Sequence, residues 1–141
     1  MAKIEDCVFC DRPSLGWRTI RSEELFTSFV SRPWFRSGQC LVVPNRHLVN
    51  PSELSPEGGT ANMGELGRLS LKLDKGSGTG IMQKYQPLQA ENGIKVNHLH
   101  FHVFPRIEDE TELFPVPQPN TFDGFVTPSA DEVIAVAEAL R

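Results

Sequence analysis

No apolar run in this chain is long enough to cross a membrane. The longest, Leu41-Val42-Val43 and Val133-Ile134-Ala135-Val136, fall far short of the ~20 residues that a bilayer requires. Positive charge is not in excess: 14 Lys and Arg face 18 Asp and Glu, for a net charge of -4. With no Lys/Arg-rich run, nothing marks a dedicated nucleic-acid surface. A small phosphate ligand stays open, because one or two cations and a few backbone N–H donors can hold it. Cysteine is scarce and odd in number, Cys7, Cys10 and Cys40, which argues against a disulfide framework. The opening Met1 to Asp6 is polar and shows no secretory h-region, so the expected compartment is the cytoplasm. Internal repeats and low-complexity segments are also absent.

What remains is ordinary for a globular chain. There are 141 residues, 39% hydrophobic and 23% charged, which suits one domain over 1–141 with one core. Leu25 to Val30 and Cys40 to Val43 read as strands, the second stopped by Pro44. Ser55-Pro56 opens a helix in which Met63, Leu66, Leu69, Leu71 and Leu73 fall at roughly helical spacing. Ile81 to Tyr85 is a further strand, and Val96 to Phe104 is the clearest. Residues 1–20 read as irregular, and 107–127, rich in Pro and acid, as a surface loop. Ser129-Ala130-Asp131-Glu132 is a capping box for a C-terminal helix. Strands around one or two helices predict an α+β domain with a mainly antiparallel sheet.

The chemistry sits in the histidines. Of four, three fall within five residues, His98-Leu99-His100-Phe101-His102. On a strand this period of two sends the imidazoles to one face and Leu99, Phe101 and Val103 to the core. Alternate positions lie about 6.6 Å apart, so the outer two are about 13 Å apart, too far for one ion to take all three readily. At least one imidazole is left for attack, proton donation or orientation. Cys7-x-x-Cys10 reads as a metal site or a redox pair, and Cys40 as a buried thiol.

His98-Leu99-His100-Phe101-His102-Val103-Phe104 resembles the signature of the histidine-triad (HIT) family, with Pro105-Arg106 following as in its fragile-histidine-triad and bacterial hydrolase branches. Gly38-Gln39-Cys40-Leu41-Val42-Val43-Pro44-Asn45-Arg46-His47 is similar to a second family segment, Gly-His-x-Leu-Val-x-Pro-x-Arg-His. Cys7-Val8-Phe9-Cys10 is similar to the N-terminal zinc motif of many bacterial members.

The resemblance implies a HIT-like fold and a hydrolase of dinucleoside polyphosphates or nucleoside phosphoramidates, usually homodimeric. It implies that His100 attacks the α-phosphate, that His102 assists the scissile atom and that His98 orients the attacker. An upstream amide that contacts phosphate falls best on Gln89, less well on Asn92 or Gln86, and Lys95 adds charge nearby. Cys7, Cys10, His47 and His98 match the four ligands of a structural zinc. Two departures stand out. Gln39 replaces the family's auxiliary histidine. The ribose-binding acid falls near Val30 or Ser31, where only Ser31 offers a hydrogen bond. These departures keep two alternatives open: nucleotidyl transfer to phosphate or a sugar phosphate, and a nucleotide-binding module with little turnover. Trp17, Trp34 and Phe35 are core or pocket candidates. Phe114, Phe122 and Phe125 are candidates for covering the site or forming a dimer contact.

Overall fold

The computed structural model describes residues 7–85, 96–108 and 125–141. Five strands form one antiparallel sheet: β1 (Thr19–Ser22), β2 (Phe26–Val30), β3 (Cys40–Pro44), β4 (Thr79–Met82) and β5 (Phe101–Pro105), in the order β1-β2-β3-β5-β4. Around it lie a one-turn helix α1 (Arg12–Leu15) and two longer helices, α2 (Pro56–Leu73) and α3 (Ala130–Leu140). This is the α+β architecture with an antiparallel sheet that the sequence predicts. No described helix is long and apolar enough to cross a membrane.

Every residue of β2 and β3 is buried, because both faces of the sheet are covered. Continuous runs such as Leu41-Val42-Val43 therefore make sense here, where a half-solvated strand would alternate. On one face Val30, Cys40, Val42 and Val103 pack against Leu66, Leu69 and Leu73 of α2 and Val133, Ala137 and Leu140 of α3. Each such side chain contributes roughly 1.5–3 kcal/mol when fully buried. On the other face Phe29, Leu41 and Val43 meet Cys7, Phe9, Cys10 and Leu15 from the N-terminal arm.

Local chemistry sets the helix ends. Ser55 Oγ accepts the Gly58 N–H at 3.0 Å, and Pro56 fills the first helical position. Ser129 accepts the Glu132 N–H at 3.2 Å, completing the expected capping box. Inside the helix-side core, Glu65 of α2 carries a fully buried side chain. It accepts from Ser28 Oγ at 2.5 Å, from Arg68 Nε and Nη2 at 2.6 and 3.0 Å, and from Arg21 at 3.3 Å. Burial opposes its ionisation, but these donors outweigh it and hold the carboxyl below its ordinary value.

Several local expectations need correction. Thr19–Ser22 lies in a stretch read as irregular, yet it pairs with β2 through a register shift between Thr19 and Arg21. That bulge hides its alternation. Strand β4 begins at Thr79 rather than Ile81, because Gly80 sits under the Phe104 ring, where a Cβ would come within 2.3 Å of Cζ. Met63 and Leu71 are exposed, while Leu66, Leu69 and Leu73 are buried. Strand β5 starts at Phe101, not Val96. Before it, the Leu99 N–H bonds the Leu48 carbonyl at 2.6 Å, so His98 and His100 sit on an anchored segment ahead of the ladder. Residues 109–124, with Phe114 and Phe122, lie outside the described residues, as do Gln86, Gln89, Asn92 and Lys95. Val126 bridges to Trp34, which is buried, whereas Trp17 is 39% exposed.

Candidate active site

The triad residues converge on the sheet face opposite the long helices. His102 pairs across the ladder with Leu41, so both point to that face. The rings of His100 and His102 lie 5.0 Å apart, inclined by 73°. Phe9 of the N-terminal arm stands edge-on to His100 at 5.2 Å. His100, His102, Gln39, Ser31, Arg18 and Arg32 share a cavity of about 260 Å³, whose lining among the described residues holds no carboxylate. Its size is near the lower end of small-molecule sites.

Hydrogen bonds define the state of each ring. His100 Nδ1 lies 2.7 Å from the His98 carbonyl oxygen. A carbonyl only accepts, so Nδ1 carries the proton and Nε2 keeps its lone pair. His102 is held in the opposite tautomer. Gln39 Oε1 accepts the Phe35 N–H at 2.9 Å, which leaves Nε2 of the amide to donate to His102 Nδ1 at 3.0 Å. His102 Nδ1 is therefore the acceptor and its Nε2 carries the proton. Burial lowers the pKa of His100 against the pull of the His98 carbonyl. Burial, then the charges of His100 and Lys84, pushes His102 down to about 3. Both rings are neutral at pH 7, and among the described residues the Nε2 lone pair of the one and the Nε2–H of its neighbour meet no partner.

Gln39 is completely buried. Its N–H bonds Arg36 O at 3.0 Å, and its carbonyl accepts the Ser31 N–H at 2.9 Å. Gly38 before it has φ 91°, and a Cβ there would meet Leu73 at 3.3 Å, so the turn into β3 requires glycine. The position expected to lack an auxiliary group thus carries an amide bonded through both its oxygen and its nitrogen. Ser31 lines the cavity, but its hydroxyl donates to the Pro33 carbonyl at 2.8 Å. Val30 is buried on the helix side of the sheet.

Beside this pair, Cys7, Cys10, His47 and His98 offer four ligand atoms that all lie within 4.8 Å of one another. His98 Nδ1 is 3.3 Å from Cys7 Sγ and 3.5 Å from Cys10 Sγ, and His47 Nδ1 is 3.4 Å from Cys10 Sγ. For Zn–S near 2.3 Å and Zn–N near 2.0–2.1 Å, a tetrahedral edge between sulfur and nitrogen is about 3.6 Å. The observed spacings fit that figure. His98 Nε2 donates to the Pro44 carbonyl at 2.8 Å, which turns its unprotonated Nδ1 to the thiols. Asn45 fixes the turn that carries His47, donating to the carbonyls of Glu23 and Glu24 and accepting from Thr27 Oγ1. Burial pushes the Cys7 thiol up and, with the nearby histidines, pushes His98 down to about 4. Cys40 takes no part. It is fully buried on the helix side, bonds the Gly38 carbonyl at 3.2 Å, and its thiol is raised by burial.

Phe9, Arg18 and Arg32 line the cavity without having been foreseen. Arg18 lies over the Phe29 ring and donates to Val30 O at 3.3 Å, and Arg32 lies over Trp17 and donates to Pro128 O at 3.0 Å. An arginine beside a strand end has no periodic signature, so only the fold brings this pair to the histidines.

A family model for the HIT domain matches residues 18–109. No curated protein sequence matches the chain. Among solved structures, a Zn-bound histidine triad family protein from Mycobacterium smegmatis is 23% identical, with a TM-score of 0.63 and 94% of each chain covered. A Hit-like protein involved in cell-cycle regulation from Bartonella henselae is 18% identical, with a TM-score of 0.70, covering 99% of this chain and 98% of that one. A hypothetical histidine triad nucleotide-binding protein from Sulfolobus tokodaii is 16% identical, with a TM-score of 0.68 and coverages of 95% and 89%. At these identities the neighbours establish the fold, and the family model, which spans well over half the sequence, establishes that the chain belongs to the HIT domain family.

Proposed function

We propose that this protein is a nucleotide hydrolase in which His100 Nε2 attacks the α-phosphate of a nucleotide conjugate and forms a nucleotidyl-histidine intermediate. Family membership supports a nucleotide hydrolase or transferase in general. The observation that carries the finer reading is the pair of opposite tautomers. The His98 carbonyl holds the His100 proton on Nδ1, and the Gln39 amide holds the His102 proton on Nε2. A lone pair and an N–H donor thus stand side by side at one cavity.

In the first step the Nε2 lone pair of His100 forms a bond to phosphorus. The bond to the leaving group breaks and its electron pair leaves with that group. The Nδ1 proton stays shared with the His98 carbonyl, which stabilises the charge developing on the ring. His102 Nε2–H offers a hydrogen bond to the departing atom. Arg18 and Arg32 add positive charge to the wall facing the phosphates. Water then forms a bond to phosphorus, the bond from phosphorus to His100 Nε2 breaks with its electron pair returning to the ring, and the proton of the water passes to solvent as the nucleoside monophosphate leaves.

Cys7, Cys10, His47 and His98 hold zinc in this reading. The donor set, the tetrahedral spacing and the His98-to-Pro44 bond support it. The Mycobacterium smegmatis relative, described as Zn-bound, points the same way. Such an ion supplies stability and fixes the strand approach, since a closed four-ligand site has no open position for substrate.

The test is a rapid quench with a nucleotide substrate followed by peptide mass spectrometry. A nucleotidyl adduct on His100, absent from His100→Ala, is the expected result. Turnover that persists in His100→Ala would remove the assignment.

A further inference from the structure

We propose that Gln39 sets the leaving-group requirement of this site: by donating to His102 Nδ1 it holds His102 as a neutral hydrogen-bond donor, so the site discharges groups that depart as stable anions and not groups that must be protonated. The inference rests on the nucleotidyl-histidine reading above and narrows it. Its substrates are phosphoanhydrides, whose leaving phosphate chain needs no proton, rather than phosphoramidates, whose amine does.

The geometry allows the amide one orientation. Turned over, Gln39 would present its NH2 to the Phe35 N–H and leave two buried donors face to face. In the observed orientation its NH2 faces His102 Nδ1 at 3.0 Å. An imidazolium would need a proton on that same nitrogen, again donor against donor, and would forfeit a buried hydrogen bond. An imidazole at position 39 could accept such a proton and pass it on. A carboxamide cannot, since it has no titrating proton in the physiological range.

The surroundings reinforce this. Among the described residues, the titratable and charged groups facing His102 are His100 beside it and Lys84 beyond β4, with Arg18 and Arg32 lining the same cavity. None is an acid, so among the described residues nothing else would stabilise an imidazolium. Arg18 and Arg32 form no ion pair with a carboxylate among the described residues, and a departing polyphosphate supplies the missing negative charge.

The step balances without acid catalysis for an anhydride. The bond from His100 Nε2 to phosphorus forms, and the bond from phosphorus to the leaving oxygen breaks with its electron pair. The phosphate departs as an anion, hydrogen-bonded to His102 Nε2–H, which keeps its proton. With an amine the same step would expel an amide anion, which is prohibitive unless a proton is delivered.

The experiment compares adenosine 5′-monophosphate esters of p-nitrophenol and phenol with adenosine 5′-phosphoramidate, for the wild type and Gln39→Glu. Glutamate keeps an acceptor for the Phe35 N–H and offers a second oxygen to a proton on His102 Nδ1. General acid catalysis is worth about 10²–10⁴-fold. The wild type should therefore cleave the p-nitrophenyl ester at least about a hundredfold faster than the phenyl ester, with no cleavage of the phosphoramidate above background. Gln39→Glu should raise the phenyl ester and phosphoramidate rates about tenfold or more relative to the p-nitrophenyl ester, and add a limb to the pH profile. In the 15N spectrum of the wild type, His102 should show a bare acceptor Nδ1 and a protonated Nε2. Phosphoramidate cleavage as fast as that of the p-nitrophenyl ester, through a His100 adduct, overturns the Gln39 inference and leaves the proposed function intact. Absence of a His100 adduct with every ester overturns both. If Gln39→Glu does not fold, the wild-type series and the His102 tautomer decide alone: a protonated Nδ1 is fatal to the inference.

Discussion

Replacing Cys10 with serine should release the N-terminal arm as well as the metal. Cys10 Sγ is the shared neighbour of His47 Nδ1 and His98 Nδ1, at 3.4 and 3.5 Å, so losing it opens the cluster at both rings. The arm is pinned to the sheet by this cluster and by Phe9 and Leu15, which are 7% and 2% exposed. If the cluster opens, those two side chains lose the order that buries them, at about 1.5–3 kcal/mol each. The expected loss is therefore about 3–6 kcal/mol, or a fall in Tm of roughly 10–25 °C for a chain of this size. Phe9 also packs on His100 at 5.2 Å, so freeing the arm should raise KM before it lowers kcat. The assay is metal content by mass spectrometry together with thermal melts of the wild type, a chelator-treated sample and Cys10→Ser. About one zinc per wild-type chain, none in the variant, and matching melts for the variant and the chelated protein are expected. A wild-type protein free of zinc, or a Cys10→Ser melt within about 2 °C of it, would falsify the reasoning.

His100→Ala should abolish adduct and turnover yet keep zinc and fold, because among the described residues the ring's one polar tie is to the His98 carbonyl; metal content and circular dichroism check the second half. Glu65 should shape the acid limb of stability. Its folded pKa is lowered, so its contribution is present above the unfolded value of about 4.3 and is lost as pH falls through the folded one. Melts across pH 2–7 should show this limb flattened in Glu65→Gln. Arg68→Ala, which leaves the buried Glu65 carboxylate without its two closest guanidinium bonds, should cost about 3 kcal/mol in urea unfolding. Gly80→Ala should cost about 1–3 kcal/mol, since the new Cβ meets Phe104 at 2.3 Å and that ring is itself wedged against Phe35 at 4.9 Å.

The sequence carried the ligand types and the triad but not the backbone that divides their labour. Period-two alternation placed Phe101 and Val103 toward the helices and His102 toward the cavity, as found. It could not show that the ladder stops at Phe101. That depends on Leu99 bonding to Leu48, a contact across more than fifty residues of chain. Gln39 stood out as a missing imidazole. Its actual role depends on the Phe35 N–H, which fixes the amide and which no motif records. Strand β1 escaped notice because its bulge breaks the alternation, and the first half of β4 because glycine within a strand reads as a break until Phe104 is seen lying over it.

One residue joins the two halves of the site. The ring of His98 belongs to the metal cluster, tied through Nε2 to Pro44 and through Nδ1 to the thiols. In the proposed mechanism its backbone carbonyl serves catalysis, because it fixes the proton of His100. A regular strand could not provide this second contact, since its carbonyls would be spent on the ladder. The early end of β5 is therefore what frees the His98 carbonyl for His100, the proposed nucleophile, and the cluster is what holds that irregular backbone in place. Zinc in such a site would act on the chemistry without touching substrate, by holding the carbonyl that keeps the Nε2 lone pair of His100 available.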